Sequence, residues 1–146
     1  MLAKERWQHL IPHRGTMCLL DVVVAWDDQR IHARADSHRS AANPLRSDER
    51  LRAVHLCEYA AQAMAIHGGL VASREGRVAA PGFLVSLRAV RLHAARIDDL
   101  PGALEVHAEK LLDGGASWQY AFRVEDAGLL LAEGRAALIA QDGVGN

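Results

Sequence analysis

Glu58 lies in the middle of VHLCEYAAQAMAIHGG, Val54 to Gly69, a run otherwise made of apolar and small side chains. An acid set among Val54, Cys57, Ala61 and Ala65 is costly to ionise, which is the setting from which general acids are drawn. His55 precedes it by one helical turn, and on a helix the two side chains are neighbours on one face. An imidazole and a carboxyl at that spacing can divide acid and base work, or simply hydrogen-bond and neutralise each other. Gln62 lies one turn further along the same face and can orient the carboxyl group. The plainer reading has Glu58 at a helix edge, solvated or tied into a structural hydrogen bond.

The segment from about Leu51 to Ala72 must position these groups. Val54, Cys57, Ala61, Met64 and Ala65 recur at helical steps, Ser47 or Asp48 is a suitable N-cap, and Gly68-Gly69 weakens or ends the helix. A helix apolar nearly all round belongs inside something. On either side of it the pattern is strand. MCLLDVVVAW and RIHARADSH join through Asp27-Asp28, and FLVSLRAVRLH follows Pro81-Gly82. ALEVHAEKLL leads to the hairpin signal Asp113-Gly114-Gly115, then come SWQYAFRVE and LLLAEGRAALIA. The Trp118, Tyr120, Phe122 and Val124 stripe reads as core or subunit contact. The order is α+β, one domain over 1–146, and predicts a curved antiparallel sheet of about six strands wrapped around one helix.

Composition removes several alternatives. The chain has 146 residues, half of them apolar, and a formal net charge of −1, which gives no electrostatic basis for nucleic-acid or anionic-membrane binding. The opening residues form no signal peptide and no apolar run is clean enough to span a membrane, so the expectation is a soluble cytoplasmic protein. The tail QDGVGN is expected to fray. Two cysteines, Cys18 and Cys57, make neither a disulfide framework nor a metal set, and Cys57 reads as a buried, inert thiol. His9 and His13 have H-x3-H spacing, but Pro12 between them breaks a shared helical face, so no metal is expected. His32, His38, His67, His93 and His107 are scattered and read as surface or edge residues.

Three pieces of the chain, in order, resemble one family. IPHRGTMCLLD is similar to the opening motif of the 3-hydroxyacyl-acyl-carrier-protein dehydratases, EYAAQAM to the E-A-M-A-Q segment of their central helix, and DLPGALEVHAEKLL to the strand after it. The NP loop and the EY-x-AQA helix resemble most the divergent dehydratase-like proteins of aryl-polyene biosynthesis. The resemblance implies the hotdog fold and subunits paired edge to edge, as a homodimer or as a heterodimer with a second hotdog subunit. It also implies an acyl chain on an acyl carrier protein's phosphopantetheine, held in an apolar tunnel beside the helix, and no cofactor.

Glu58 matches the family's helix carboxylate. His13 matches a motif histidine that is mainly architectural in the family, and Arg14 beside it can hold a carrier phosphate or make a structural salt bridge. Ala53 takes the place of a family glycine, and its backbone N–H can polarise a thioester carbonyl at the helix start. The chain departs from the family where the dehydratases carry a loop histidine: Pro44, in AANPLRS, stands there instead. His55 or a partner subunit's histidine is left to supply the base, with His13 a further catalytic candidate. Dehydration of a 3-hydroxyacyl thioester is the first expectation; a thioester hydrolase, or a half-site subunit paired with an active dehydratase, are the alternatives.

Overall fold

Period-two alternation in the second half of the chain becomes a set of long strands, which with shorter ones from the first half make a single antiparallel sheet. The computed structural model describes residues 1–79 and 82–140, so Pro81 and the tail beyond Ala140 lie outside the described residues. In chain order the elements are β1 (Leu2–Ala3), β2 (Val22–Trp26), β3 (Arg30–Ala35), α1 (Leu56–Arg74), β4 (Gly82–Leu92), β5 (Leu104–Asp113), β6 (Ser117–Asp126) and β7 (Leu129–Ala140). Their order across the sheet is β1-β2-β3-β5-β6-β7-β4, with every neighbouring pair antiparallel.

One face of the sheet is core. Ile31, Ala33 and Ala35 of β3, Leu104, Val106 and Ala108 of β5, and Tyr120, Phe122 and Val124 of β6 are all buried. Helix α1 lies across that face, packing on β3, β5, β6 and β7 through side chains such as Tyr59, Ala63, Met64 and Ile66. Each large aliphatic side chain taken out of water there contributes about 1.5–3 kcal/mol. Trp118, at the end of the aromatic stripe, packs half-buried against the same cluster.

The structure corrects the helix ends. Ser47 and Asp48 do not cap α1: Ser47 pairs with Arg50 across a tight turn, and Asp48 and Glu49 in that turn have φ of 54° and 62°. The chain enters the helix instead through a 3-10 turn, Ala53–His55, with no side-chain cap. The strand read from Met17 begins only at Val22, because the Met17 carbonyl and the Leu19 N–H bond to a helix side chain, Gln62, rather than to a neighbouring strand. Nor does Gly68-Gly69 end the helix, which continues to Arg74. Gly69 is there for a close approach: a Cβ on it would stand 2.9 Å from Leu10 Cβ, whereas one on Gly68 would meet nothing within 4 Å.

This contrast makes a prediction. Gly68→Ala should stabilise the chain by up to about 1 kcal/mol through helix propensity alone. Gly69→Ala should destabilise it, since the gain is outweighed by pushing the Leu10 segment off the helix. Urea unfolding of the two variants against the parent checks both signs.

Two histidines read as surface residues are fully buried. His67, on α1, donates from Nε2 to the Asp27 carbonyl (2.8 Å) and accepts at Nδ1 from the Tyr120 hydroxyl (2.7 Å). It thereby ties the helix to the β2–β3 turn and to β6. His38 is held through Nε2 by the Leu100 carbonyl at 3.2 Å. His32 and His107 do lie on the outer sheet face, stacked with ring centroids 4.2 Å apart, and His9 and His93 are exposed. Cys18 and Cys57 are both buried free thiols, and burial pushes both up from their ordinary range.

Candidate active site

Glu58 sits in the first turn of α1, and the group that meets it comes from the leading segment. His13 Nε2 stands 3.4 Å from Glu58 Oε1, with the two side chains 28% and 36% exposed. His13 Nδ1 is buried and has no hydrogen-bond partner, so the ring's tautomer is set by whatever faces Nε2. No hydrogen bond or ion pair joins His55 to Glu58 among the described residues, although the two are close in sequence. The structure therefore brings together the carboxyl group and the motif histidine, not the helical pair read from the spacing.

The seclusion expected of Glu58 is only partial. On α1 it belongs to a half-exposed stripe with Ala61, Ala65 and Gly68, and Val54 beyond the helix start is exposed. A helix with so little apolar asymmetry leaves one side uncovered in the single chain. Two cavities, of about 530 and 370 Å³, lie elsewhere. The first is on the outer sheet face around His32 and His107, the second beside Cys18, Ser37 and Asn43. Neither is lined by Glu58 or His13.

Gln62 does something other than orient the acid. Fully buried, it accepts from the Leu19 N–H (2.9 Å) and donates to the Met17 carbonyl (2.8 Å). Tyr59, one turn earlier, completes the hold. Asn43 Nδ2 donates to the Tyr59 hydroxyl (3.0 Å), which donates to Ser37 Oγ (2.7 Å), which donates to the Leu19 carbonyl (2.7 Å). Two helix side chains thus fasten Met17 to Leu19 onto α1, and with them the segment that carries His13. Burial raises the Tyr59 hydroxyl above its ordinary range, against the opposing pull of Ser37 and Asn43, so it remains a donor.

The sequence reading missed Tyr59, Ser37 and Asn43 as a unit. The one signal was the hydroxyl of Tyr59 on a helix that the apolar pattern marks as interior; Ser37 and Asn43 lie in polar stretches that carry no such mark. Gln62→Leu should leave a buried N–H and C=O unpartnered and cost about 2–4 kcal/mol by urea unfolding, and Gln62→Glu, which keeps the acceptor but sets a buried carboxylate against the Met17 carbonyl, should cost no less.

Two other expectations are corrected. The Ala53 N–H already donates to the Ala95 carbonyl (3.1 Å), and so has no free donor for a thioester. The His55 N–H is likewise committed, to Arg52 O at 3.1 Å, while among the described residues the Val54 N–H between them meets no backbone carbonyl outside its own turn. Arg14 makes no salt bridge among the described residues; its Nη1 donates to the carbonyls of Ile11 (2.6 Å) and His13 (3.0 Å), stiffening the turn at His13. No group of three or more His, Cys, Asp or Glu side chains among the described residues is arranged to hold a metal, and no described helix is long and apolar enough to cross a membrane.

Comparison with known proteins now decides the family. The ApeP-like family, described as ApeP dehydratase, matches residues 5–144 of the sequence. This chain belongs to the ApeP-like dehydratase family. No curated protein matches it significantly. Among solved structures, the ApeI:P dehydratase heterocomplex of Xenorhabdus doucetiae is similar at 22% identity. That match covers 96% of this chain and 91% of the other, with a TM-score of 0.82. A putative thioesterase from Shewanella oneidensis is similar at 15% identity over 94% and 93%, with a TM-score of 0.63. AziG of S. sahachiroi is similar at 19% over 82% and 89%, with a TM-score of 0.58. The fold of this ApeP-like chain is the hotdog: one antiparallel sheet around one long helix.

Proposed function

We propose that this chain supplies an acid–base pair for dehydration of a 3-hydroxyacyl thioester held on an acyl carrier protein, and that it works against a second hotdog subunit. The observation that carries the reading is the approach of His13 to Glu58 at 3.4 Å, on a segment that Gln62 and Tyr59 fasten to the helix. A gap of that length is looser than a direct hydrogen bond, so neither side chain is locked to the other and both can turn towards a substrate lying alongside them.

Elimination needs two proton movements. His13 takes the proton from the carbon next to the thioester carbonyl, and Glu58 gives a proton to the hydroxyl one carbon further along. The C–O bond breaks, water leaves, and a double bond conjugated with the carbonyl remains. The Val54 N–H and the positive end of α1 face the thioester oxygen as charge gathers there. Arg14, exposed beside His13, meets the phosphate of the carrier arm.

The open side of Glu58 supports the partner. The small, half-exposed residues Ala61, Ala65 and Gly68 beside Glu58 would form one wall of a tunnel for the acyl chain when another subunit covers them. The similar protein of Xenorhabdus doucetiae is a dehydratase heterocomplex, which favours a second, different hotdog subunit here.

The test incubates the pure chain with a 3-hydroxyacyl carrier protein, alone and with a second dehydratase subunit, and weighs the product. Loss of one water is the expected result. Release of the acyl group points instead to a thioester hydrolase. Turnover that requires catalytic residues of the added subunit, and not Glu58, leaves this chain as a half-site scaffold.

A further inference from the structure

Strand β4 closes one side of the sheet, pairs with β7 alone and is exposed along almost all of its length. Its pairing assigns each face. Leu84 opposite Leu138 and Leu87 opposite Ala136 lie on the helix side, yet both remain exposed, because α1 packs chiefly on the strands before β4. Arg88 lies opposite Arg135 and Arg91 opposite Glu133.

Arg135 and Glu133 are two residues apart on β7, so both arginines share the outer face. Residues three apart on a regular strand face opposite ways. The bulge between Arg88 and Arg91, with Ala89 at φ 53°, brings the second arginine back to the side of the first.

This edge is therefore apolar towards the helix, while on its outer face an exposed Phe83, opposite Ile139, is followed by the cationic pair. The strand, GFLVSLRAVRL, contains no carboxylate. Arg88 reaches only Gln119 Oε1, at 3.5 Å, and Arg91 has no ion pair among the described residues. Glu133 is occupied by His93 at 2.9 Å, and Arg135 adds a third positive charge opposite Arg88. All this belongs to a chain whose formal net charge is only −1.

We propose that the β4 edge docks the edge strand of a hotdog subunit bearing carboxylates on its outer face, and selects against a second copy of this chain. The proposal deepens the partner reading above. In a self-paired edge, two copies of Arg88 and Arg91 stand on one face of two adjoining strands. Their spread along each strand is about 10 Å, close to the Debye length at ordinary ionic strength, so the four charges feel one another. Like charges across neighbouring strands oppose pairing, and a carboxylate row reverses the sign while the exposed leucines remain to be covered.

Sedimentation of this chain with its own charge-reversed copy tests the idea without an unidentified partner. The parent alone, the R88E/R91E variant alone and their equimolar mixture are compared at low and high salt. The mixture is expected to dimerise at least about tenfold more tightly than either component, with that advantage lost near 1 M salt. The neutral R88S/R91S variant, which does not depend on the reversed charges being tolerated, should self-associate more tightly than the parent. A parent chain that dimerises as tightly as the mixture overturns the proposal, as does a mixture that does not associate. Because no substrate enters the experiment, its failure leaves the dehydration reading standing, and a chain without dehydratase activity can still pass it.

Discussion

Glu58→Gln should lower the rate of water loss from a 3-hydroxyacyl carrier protein by about 10²–10⁴-fold while the chain folds as before. Among the described residues the carboxyl group contributes no hydrogen bond to the fold. Its contact is the 3.4 Å approach of His13, between side chains that both keep part of their surface in water. Ion pairs at that degree of exposure are worth about 0–1 kcal/mol, so an amide of nearly the same shape leaves stability almost unchanged. His13→Ala should reduce turnover to a similar extent. The double variant should lose little more than either single one, because two groups that act on one elimination do not contribute independently. His55→Ala should have a much smaller effect, which separates the observed pair from the one that helical spacing suggests. The measurement is product mass against time in the oligomeric form that turns substrate over, with urea unfolding of each variant alongside. Glu58→Gln that turns over like the parent sinks the proposed chemistry, and Glu58→Gln that unfolds makes the acid structural.

The difference between His55 and His13 shows what the sequence could and could not say. Helix spacing is local, so Glu58 could be placed on a helix and the strands could be placed by alternation. The sheet with one helix across it followed from those periods and from the motif order. What stands opposite a helix residue depends on where a non-periodic segment is fastened, and that is decided by side chains far apart in sequence. Gln62 and Tyr59 reach Met17 and Leu19 through bonds whose geometry no spacing rule encodes. The same fastening explains why MCLLD, which reads as strand, is not one before Val22. The burial of His67 and His38 was hidden for a related reason: a polar residue in an apolar helix is solvated or satisfied, and only its partners tell which. The arginines of β4 were equally opaque, since residues three apart share a face only because of a bulge.

The buried histidines make acid the condition under which the scaffold should weaken. Burial depresses His67 and His38 below the ordinary histidine range, and burial together with the neighbouring His32 does the same to His107. In the unfolded chain all three titrate near 6.5. Above that pH neither state binds a proton at these sites, and their contribution to stability is flat. Below it the unfolded chain takes up protons that the folded chain refuses, so stability falls as the pH falls, by about 1.4 kcal/mol per pH unit for each histidine. The two fully buried rings together give a slope of about 3 kcal/mol per pH unit, which levels off below their folded pKa values. The carboxylates of Asp27, Glu105 and Asp113 are held below their usual range and destabilise the fold in the same direction, but only at more acid pH. The interval from pH 6.5 to 5 therefore reports the histidines. Urea unfolding across it should show the loss, and His67→Gln, which can still donate to Asp27 O and accept from Tyr120, should remove about 1.4 kcal/mol per pH unit of the slope. Stability that holds level or rises over that interval contradicts the assignment. Because His67 seats α1 on the β2–β3 turn and on β6, the same titration should loosen the helix that presents Glu58, so activity should be lost in acid as the scaffold unfolds.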